Sequence, residues 1–160
     1  MKPDVTPFLW FNDQAEHAAM FYKTVFGTDV EIIHISRYPA QTPGEDGPAM
    51  TVVLRVLGQK LIFLNGGPMY QLDEAFSLQI SVDTQEEIDR FADALTANGG
   101  ADGHCGWLKD KFGVSWQVTP RCLGSLLSNT DPQQAGRVMQ AFMGMKRIDI
   151  AALQAANAAP

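Results

Sequence analysis

Between Val5 and Thr119 the chain runs twice through one order of elements: a short apolar strand, a helix, then further strands. In the first pass Ala15, Ala18, Ala19, Phe21, Tyr22 and Val25 recur at helical spacing, and in the second Ile88, Phe91, Ala92 and Leu95 do the same. Adding 70 to Ala18, Phe21, Tyr22 and Val25 lands on those four later positions. The residue identities are slight, so the repeat is one of structure. It constrains the fold strongly, because one such half alone would leave a sheet face exposed. The halves are expected to pack together or to exchange across a dimer.

Each pass has recognisable boundaries. Val5 to Phe11 is β-branched and aromatic, as a strand buried on both faces would be. Asn12-Asp13 are the expected N-cap of the first helix, and Gly27 its C-terminal stop. Asp29 to Tyr38 reads as a strand and Pro39 to Pro48 as a mobile loop. Met50 to Leu57 and Lys60 to Leu64 form a hairpin around Gly58-Gln59, closed by the turn Asn65-Gly66-Gly67-Pro68. In the second pass Phe76 to Val82 is a strand. Asp83-Thr84 then cap a helix with Glu86 and Glu87 in its first turn, and Asn98-Gly99-Gly100 end it. Trp107 to Lys109 and Val114 to Thr119 give two or three short strands around Lys111-Phe112-Gly113. From Leu123 onward the pattern is helical. Thr130-Asp131-Pro132 open a helix at Gln133, and the Ala-rich stretch Asp149 to Ala159 is expected to fray. The expectation is an α+β chain: two βαβββ modules, about 4–68 and 75–121, form a curled mixed sheet within a domain 1–121. A helical C-terminal extension, 122–160, follows.

Composition narrows the partners. With 46% hydrophobic and 19% charged residues, 160 residues suffice for a compact core without disulfides or a structural metal. Eighteen acidic against 12 basic residues give a net charge of −6, which disfavours nucleic acid and anionic membranes. No apolar stretch reaches the ~20 residues of a membrane span, and Met1-Lys2-Pro3-Asp4 leads into a strand without the apolar core of an export signal. Cys105 and Cys122 lack CxxC spacing. A cytoplasmic protein with reduced thiols is the expected setting.

Several strings resemble one known family. Pro7-Phe8-Leu9-Trp10-Phe11, Phe21-Tyr22 with Phe26-Gly27, and Leu64-Asn65-Gly66-Gly67-Pro68 are similar to the PhnB-like branch of the vicinal oxygen chelate superfamily. The more specific matches are Cys105-Gly106-Trp107-Leu108-Lys109-Asp110 and Phe112-Gly113-Val114-Ser115-Trp116-Gln117. The resemblance covers roughly residues 4 to 121 and implies the glyoxalase/bleomycin-resistance fold, a cleft in each module and a frequent homodimer. It also brings an inherited name, demethylubiquinone methyltransferase. A nucleotide-like methyl donor would need a glycine-rich turn between a strand and a helix of a parallel sheet. Asn65-Gly66-Gly67 runs into Pro68 with no helical pattern after it, and Gly99-Gly100 end a helix instead of opening one. The name is therefore rejected on sequence.

The resemblance further implies a divalent metal held by His and Glu from four strands. Those positions fall near Pro7, Phe63 or Leu64, Ser77 and Gln117. They offer no imidazole, thiolate or carboxylate, so no metal and no other cofactor is expected. His17, His34 and His104 show no ligand spacing. Cys105 beside His104 reads more simply as a plain thiol than as an activated one, since sequence neighbours on a loop or strand point apart.

What remains is a candidate pocket of aromatic and amide side chains: Trp10, Phe63, Asn65, Gln79, Trp107, Trp116 and Gln117, with Lys109 and Asp110 at its rim. Apolar walls with a few fixed polar groups suit a small organic ligand, although the same tryptophans would also serve a core. Two readings stand side by side. One is a metal-free small-molecule-binding protein. The other is a vicinal oxygen chelate enzyme (lyase, isomerase, dioxygenase or resistance type) that uses a relocated metal or a Lys109/Asp110 acid–base pair.

Overall fold

Parallel pairing of the first and last strand of each repeat shapes the fold. In the computed structural model, which describes residues 3–42 and 44–159, the first repeat contains β1 (Phe8–Phe11), α1 (Ala15–Phe26), β2 (Val30–Arg37), β3 (Ala49–Val56) and β4 (Gln59–Asn65). The second contains β5 (Leu78–Val82), α2 (Gln85–Thr96), β6 (Ala101–Asp102), β7 (Trp107–Lys109) and β8 (Ser115–Pro120). The strand orders are β1-β4-β3-β2 and β5-β8-β7-β6, so each makes an open four-stranded mixed sheet. In each, the first and last strands are parallel and the other pairs antiparallel. The helices obey the repeat to the residue, since 15 + 70 is 85 and 26 + 70 is 96. Two compact units result, 1–72 and 73–160. Pro43 of the expected mobile loop lies outside the described residues.

In the first unit, Leu9, Phe11, Val52, Leu54, Leu61 and Phe63 alternate onto the buried face, where Ala15, Ala18, Ala19, Tyr22 and Phe26 of α1 are also buried. Phe63 lies 5.8 Å from the Tyr22 ring and 4.9 Å from Phe11, centroid to centroid. β1 departs from the sequence expectation. It begins at Phe8, Val5 is 95% exposed, and Phe8 is exposed as well, because side chains alternate between faces and Leu9 and Phe11 take the buried one. The helix start differs as well. Gln14 occupies the cap position without a side-chain bond, and the Ala15 N–H donates to Asn65 Oδ1 at 2.8 Å. A residue 50 positions away caps the helix. The hairpin turn centres on Leu57-Gly58, both at positive φ, one residue before the expected Gly58-Gln59. Positive φ at both central positions matches the right-handed twist of the strands it joins.

The second unit buries Ile80, Val82, Leu108, Trp116 and Val118 together with Ile88, Phe91, Ala92 and Leu95 of α2. The expected cap is present as a full capping box between Thr84 and Glu87. The extension forms α3 (Leu123–Leu127), α4 (Pro132–Met143, capped by Asp131) and α5 (Ile150–Ala158, capped by Asp149). Pro132 is itself the first helical residue, one before the expected start. The end expected to fray is tied down: Arg137 donates to the Ala156 carbonyl at 3.3 Å and the Ala159 carbonyl at 2.6 Å.

Candidate functional site

Sheet register sorts the sequence candidates by face. On β8, Ser115, Gln117 and Thr119 alternate with Trp116, Val118 and Pro120. The pairings Lys109↔Ser115 and Ala101↔Lys109 align one row across the sheet, and Trp107↔Gln117 and Gln79↔Gln117 align the next. Trp107, Lys109, Ser115, Gln117 and Gln79 therefore share the face turned away from α2. Trp116 sits on the other face, 2% exposed, with its indole N–H donating to Asp110 Oδ2 at 3.0 Å. It belongs to the core and not to a pocket wall. Period-two alternation beside Gln117 was the signal in the sequence that separates the two.

The two amides brace the face that carries Ser115 and Thr119. Gln79 Nε2 donates to Thr119 Oγ1 at 2.7 Å, and Gln117 Nε2 to Ser77 Oγ at 2.9 Å. A cavity of 240 Å³ opens within the second unit, lined by Glu74, Ala101, Asp102, Gly103, Trp107, Leu108, Lys109 and Ser115. Lys109 is ion-paired with Glu74 in it. The hydrogen bond from Lys109 is the main reason that the Glu74 carboxyl is held below the usual carboxylate range. Glu74, Asp102 and Gly103 were absent from the sequence candidates. Glu74 precedes its strand and carries no local mark of a partner 35 residues on.

Asp110 is not a rim residue. It is 3% exposed, and Oδ1 accepts from the backbone N–H of Phe112 at 2.9 Å and Val114 at 3.1 Å while Oδ2 holds Trp116. These bonds give its carboxylate a structural task, so a Lys109/Asp110 acid–base pair is not assembled. Cys105 and Cys122 are free thiols, and Cys105 Sγ points to the Phe142 carbonyl at 3.6 Å.

The remaining candidates lie in the first unit. Phe63 is 0% exposed in the core beside α1, which removes it from any pocket wall. Asn65 spends its amide on structure: besides capping α1, its Nδ2 donates to the Ala49 carbonyl at 3.0 Å. Trp10 lies over the Gly66-Gly67 turn, donates to the Gly67 carbonyl at 2.8 Å and meets Tyr70 edge-on at 5.0 Å.

The family model described as 3-demethylubiquinone-9 3-methyltransferase matches residues 3–119. The chain belongs to this family. It is the PhnB-like branch of the vicinal oxygen chelate superfamily. The PhnB protein of Bacillus cereus, which bears the same methyltransferase name, is 33% identical with a TM-score of 0.64; the match covers 74% of this chain and 99% of that one. A Pseudomonas aeruginosa protein is 25% identical over 74% of this chain and 98% of its own, at TM-score 0.58. FosX, a fosfomycin resistance protein of Listeria monocytogenes, shares the fold at 14% identity and TM-score 0.56, over 81% of this chain and 99% of that one. No curated protein matches the chain.

Neither group that the family and its name imply fits these residues. The resemblance assigns the metal ligands to Pro7, apolar Phe63 or Leu64, Ser77 and Gln117, and the Ser77 hydroxyl is engaged by the Gln117 amide. A neutral hydroxyl and a neutral amide are poor ligands for a divalent ion, and proline, phenylalanine and leucine side chains offer none. Among the described residues no three His, Cys, Asp or Glu side chains gather to replace it. A methyl-donor cradle fails on sterics. A Cβ on Gly66 would lie 2.3 Å from the Trp10 ring, so that turn is filled by an indole, and the next helix is α2 at Gln85.

Proposed function

We propose that this chain is a metal-free small-molecule-binding protein of the vicinal oxygen chelate fold, with its ligand in the cavity beside Trp107 and Lys109. The supporting observation is the pairing, in one 240 Å³ concavity, of an apolar wall from Trp107 and Ala101 with Lys109, Ser115 and Glu74. Small ligand sites combine such a wall with few directed polar groups. The indole offers a flat apolar surface, and the ammonium offers a charge for an anionic substituent. Glu74 competes for that charge, so an anion must draw Lys109 away from it.

The competition gives the test, with 8-anilino-1-naphthalenesulfonate as probe. Lys109→Met should weaken the probe about three- to fivefold, and Glu74→Gln should tighten it by a similar factor, as befits one exposed charge contact. Lowering the pH has the sign of Glu74→Gln. Because the folded carboxyl titrates below its ordinary range, tightening appears only as pH falls through that depressed value. In the same assay Ni²⁺, Mn²⁺ and Zn²⁺ should leave Tm unchanged, since an ion bound to the native state would raise it. A metal-dependent rise in Tm, or equal probe affinity in all three proteins, overturns the reading.

We further infer a cytoplasmic homodimer. Free Cys105 and Cys122 support a reducing compartment. Edge strands β1 and β5, with Phe8 57% exposed on β1, support association. No helix among the described residues is long and apolar enough to cross a membrane. Light scattering at micromolar concentration should give twice 17.5 kDa, and a mass of 17.5 kDa rejects the dimer.

A further inference from the structure

The cavity wall is held by a part of the chain outside the family match, which ends at residue 119. The match to the Bacillus cereus protein leaves about a quarter of this chain without a counterpart (100% minus 74%). Nevertheless the stretch 145–150, which runs from behind α4 into the first residue of α5, is stitched to the loop that joins β6 to β7. The Cys105 N–H donates to the Met145 carbonyl at 2.8 Å and the Gly106 N–H to the Lys146 carbonyl at 2.7 Å. Arg147 reaches both Asp102 oxygens with Nε, at 3.1 and 3.2 Å, and Asp93 of α2 with its terminal nitrogen at 2.5 Å. Ile148 is fully buried, and a Cβ on Gly106 would come within 2.8 Å of its Cδ1. Gln85 of α2 closes the other side, donating to the Ile148 carbonyl at 3.1 Å and accepting from the Ile150 N–H at 3.0 Å.

Those contacts converge on the cavity. Asp102, Gly103 and Trp107 line it, and the loop between them turns on the bonds Gly103 N–H to Trp107 O, 2.8 Å, and Trp107 N–H to His104 O, 3.0 Å. Cys105 holds φ 56 and Gly106 φ 81, and the left-handed conformation carries a steric cost at Cys105 alone, since glycine adopts it freely. We propose that residues 145–150 form a clamp that fixes the β6–β7 loop and thereby sets the cavity wall at Asp102, Gly103 and Trp107, with Arg147 as its positioning residue. Arg147 stands behind the wall and ties it to α2 through two carboxylates. The proposal draws on the reading of the cavity as a ligand site for only one of its two readouts.

The test uses the full chain and the variants Arg147→Ala, Arg147→Lys and Asp93→Asn. Amide exchange reads the clamp: Arg147→Ala should speed exchange at Cys105 and Gly106 about tenfold or more while that at Leu61 and Phe63, in the first unit's sheet, is unchanged. Arg147→Lys and Asp93→Asn, milder changes that keep the fold, should give intermediate acceleration. Affinity for 8-anilino-1-naphthalenesulfonate reads the wall, and should fall in the same order as exchange rises. Unchanged exchange at Cys105 and Gly106 in all three variants overturns the clamp. Faster exchange with unchanged probe affinity overturns its link to the cavity. If the unmodified protein does not take up the probe, the ligand reading fails, and the exchange result still decides the clamp.

Discussion

Asp110→Asn should lower stability by about 3 kcal/mol, because hydrogen bonds to a buried carboxylate are worth roughly twice neutral ones and a buried donor left unmade costs the full desolvation. For a chain of this length that is a fall in Tm of roughly 6–12 °C. The side chain closes the turn between β7 and β8. Its oxygens accept from Phe112 N, Val114 N and Trp116 Nε1, while its own N–H and carbonyl bond Val114 O at 3.0 Å and Gly113 N at 3.0 Å. An asparagine keeps one oxygen. Its amide NH₂ must then face either two backbone donors or the indole N–H, and either orientation sets donor against donor. Trp116→Phe removes the indole donor and also leaves part of the buried indole volume empty, so it should cost a comparable amount, about 3 kcal/mol. Because both changes break the same bond, the double variant should be less destabilised than the sum of the two. Thermal melts of the three variants check this. A change in Tm under about 2 °C for Asp110→Asn would show that the carboxylate is dispensable.

What could be read ahead from residue order was whatever short-range periodicity carries. Both helices fell out of one stripe repeated at a spacing of 70, and the Thr84–Glu87 box announced itself three residues apart. Long-range partners have no such signature. Asn65 looks like a turn residue, yet it caps α1 and anchors the start of β3 because β4 runs parallel to β1 and ends beside both. β6, two residues long, is defined only by its pairing with Lys109 and Leu108. The candidate site suffered in the same way. Trp107 and Lys109 were legible as members of one face, whereas Glu74 enters through an ion pair across 35 residues. Trp116 and Phe63 were misplaced because an aromatic side chain in a strand shows its size in sequence but not its face. Pairing register settles that question, since Leu108↔Trp116 and Leu9↔Phe63 align each ring with a buried leucine on the neighbouring strand.

Gly66→Ala should be a strongly damaging small substitution in the first unit, with a loss of about 3 kcal/mol or more. Its added carbon would sit 2.3 Å from Cζ2 of Trp10 and 2.5 Å from Cε2 and Cη2, inside the ring's contact surface. The backbone cannot give way readily, because Gly66 N–H donates to the Phe11 carbonyl at 2.9 Å and Gly67 N–H to the Asn12 carbonyl at 3.1 Å. The indole must leave instead. It would forfeit its bond to the Gly67 carbonyl and its edge contact with Tyr70, so tryptophan emission should move to longer wavelength. Removing the obstacle supplies the control. In a Trp10→Ala background the same Gly66→Ala change should cost under about 1 kcal/mol, since the space it enters is then vacant. The comparison also bears on the methyltransferase name. A glycine turn that cradled a nucleotide-like methyl donor would need that space open, and Gly66→Ala would then abolish donor binding while leaving the melt nearly intact. A large loss of Tm that disappears with Trp10 identifies Gly66 as a seat for an indole. A Tm unchanged by Gly66→Ala would instead restore the turn as a candidate binding loop.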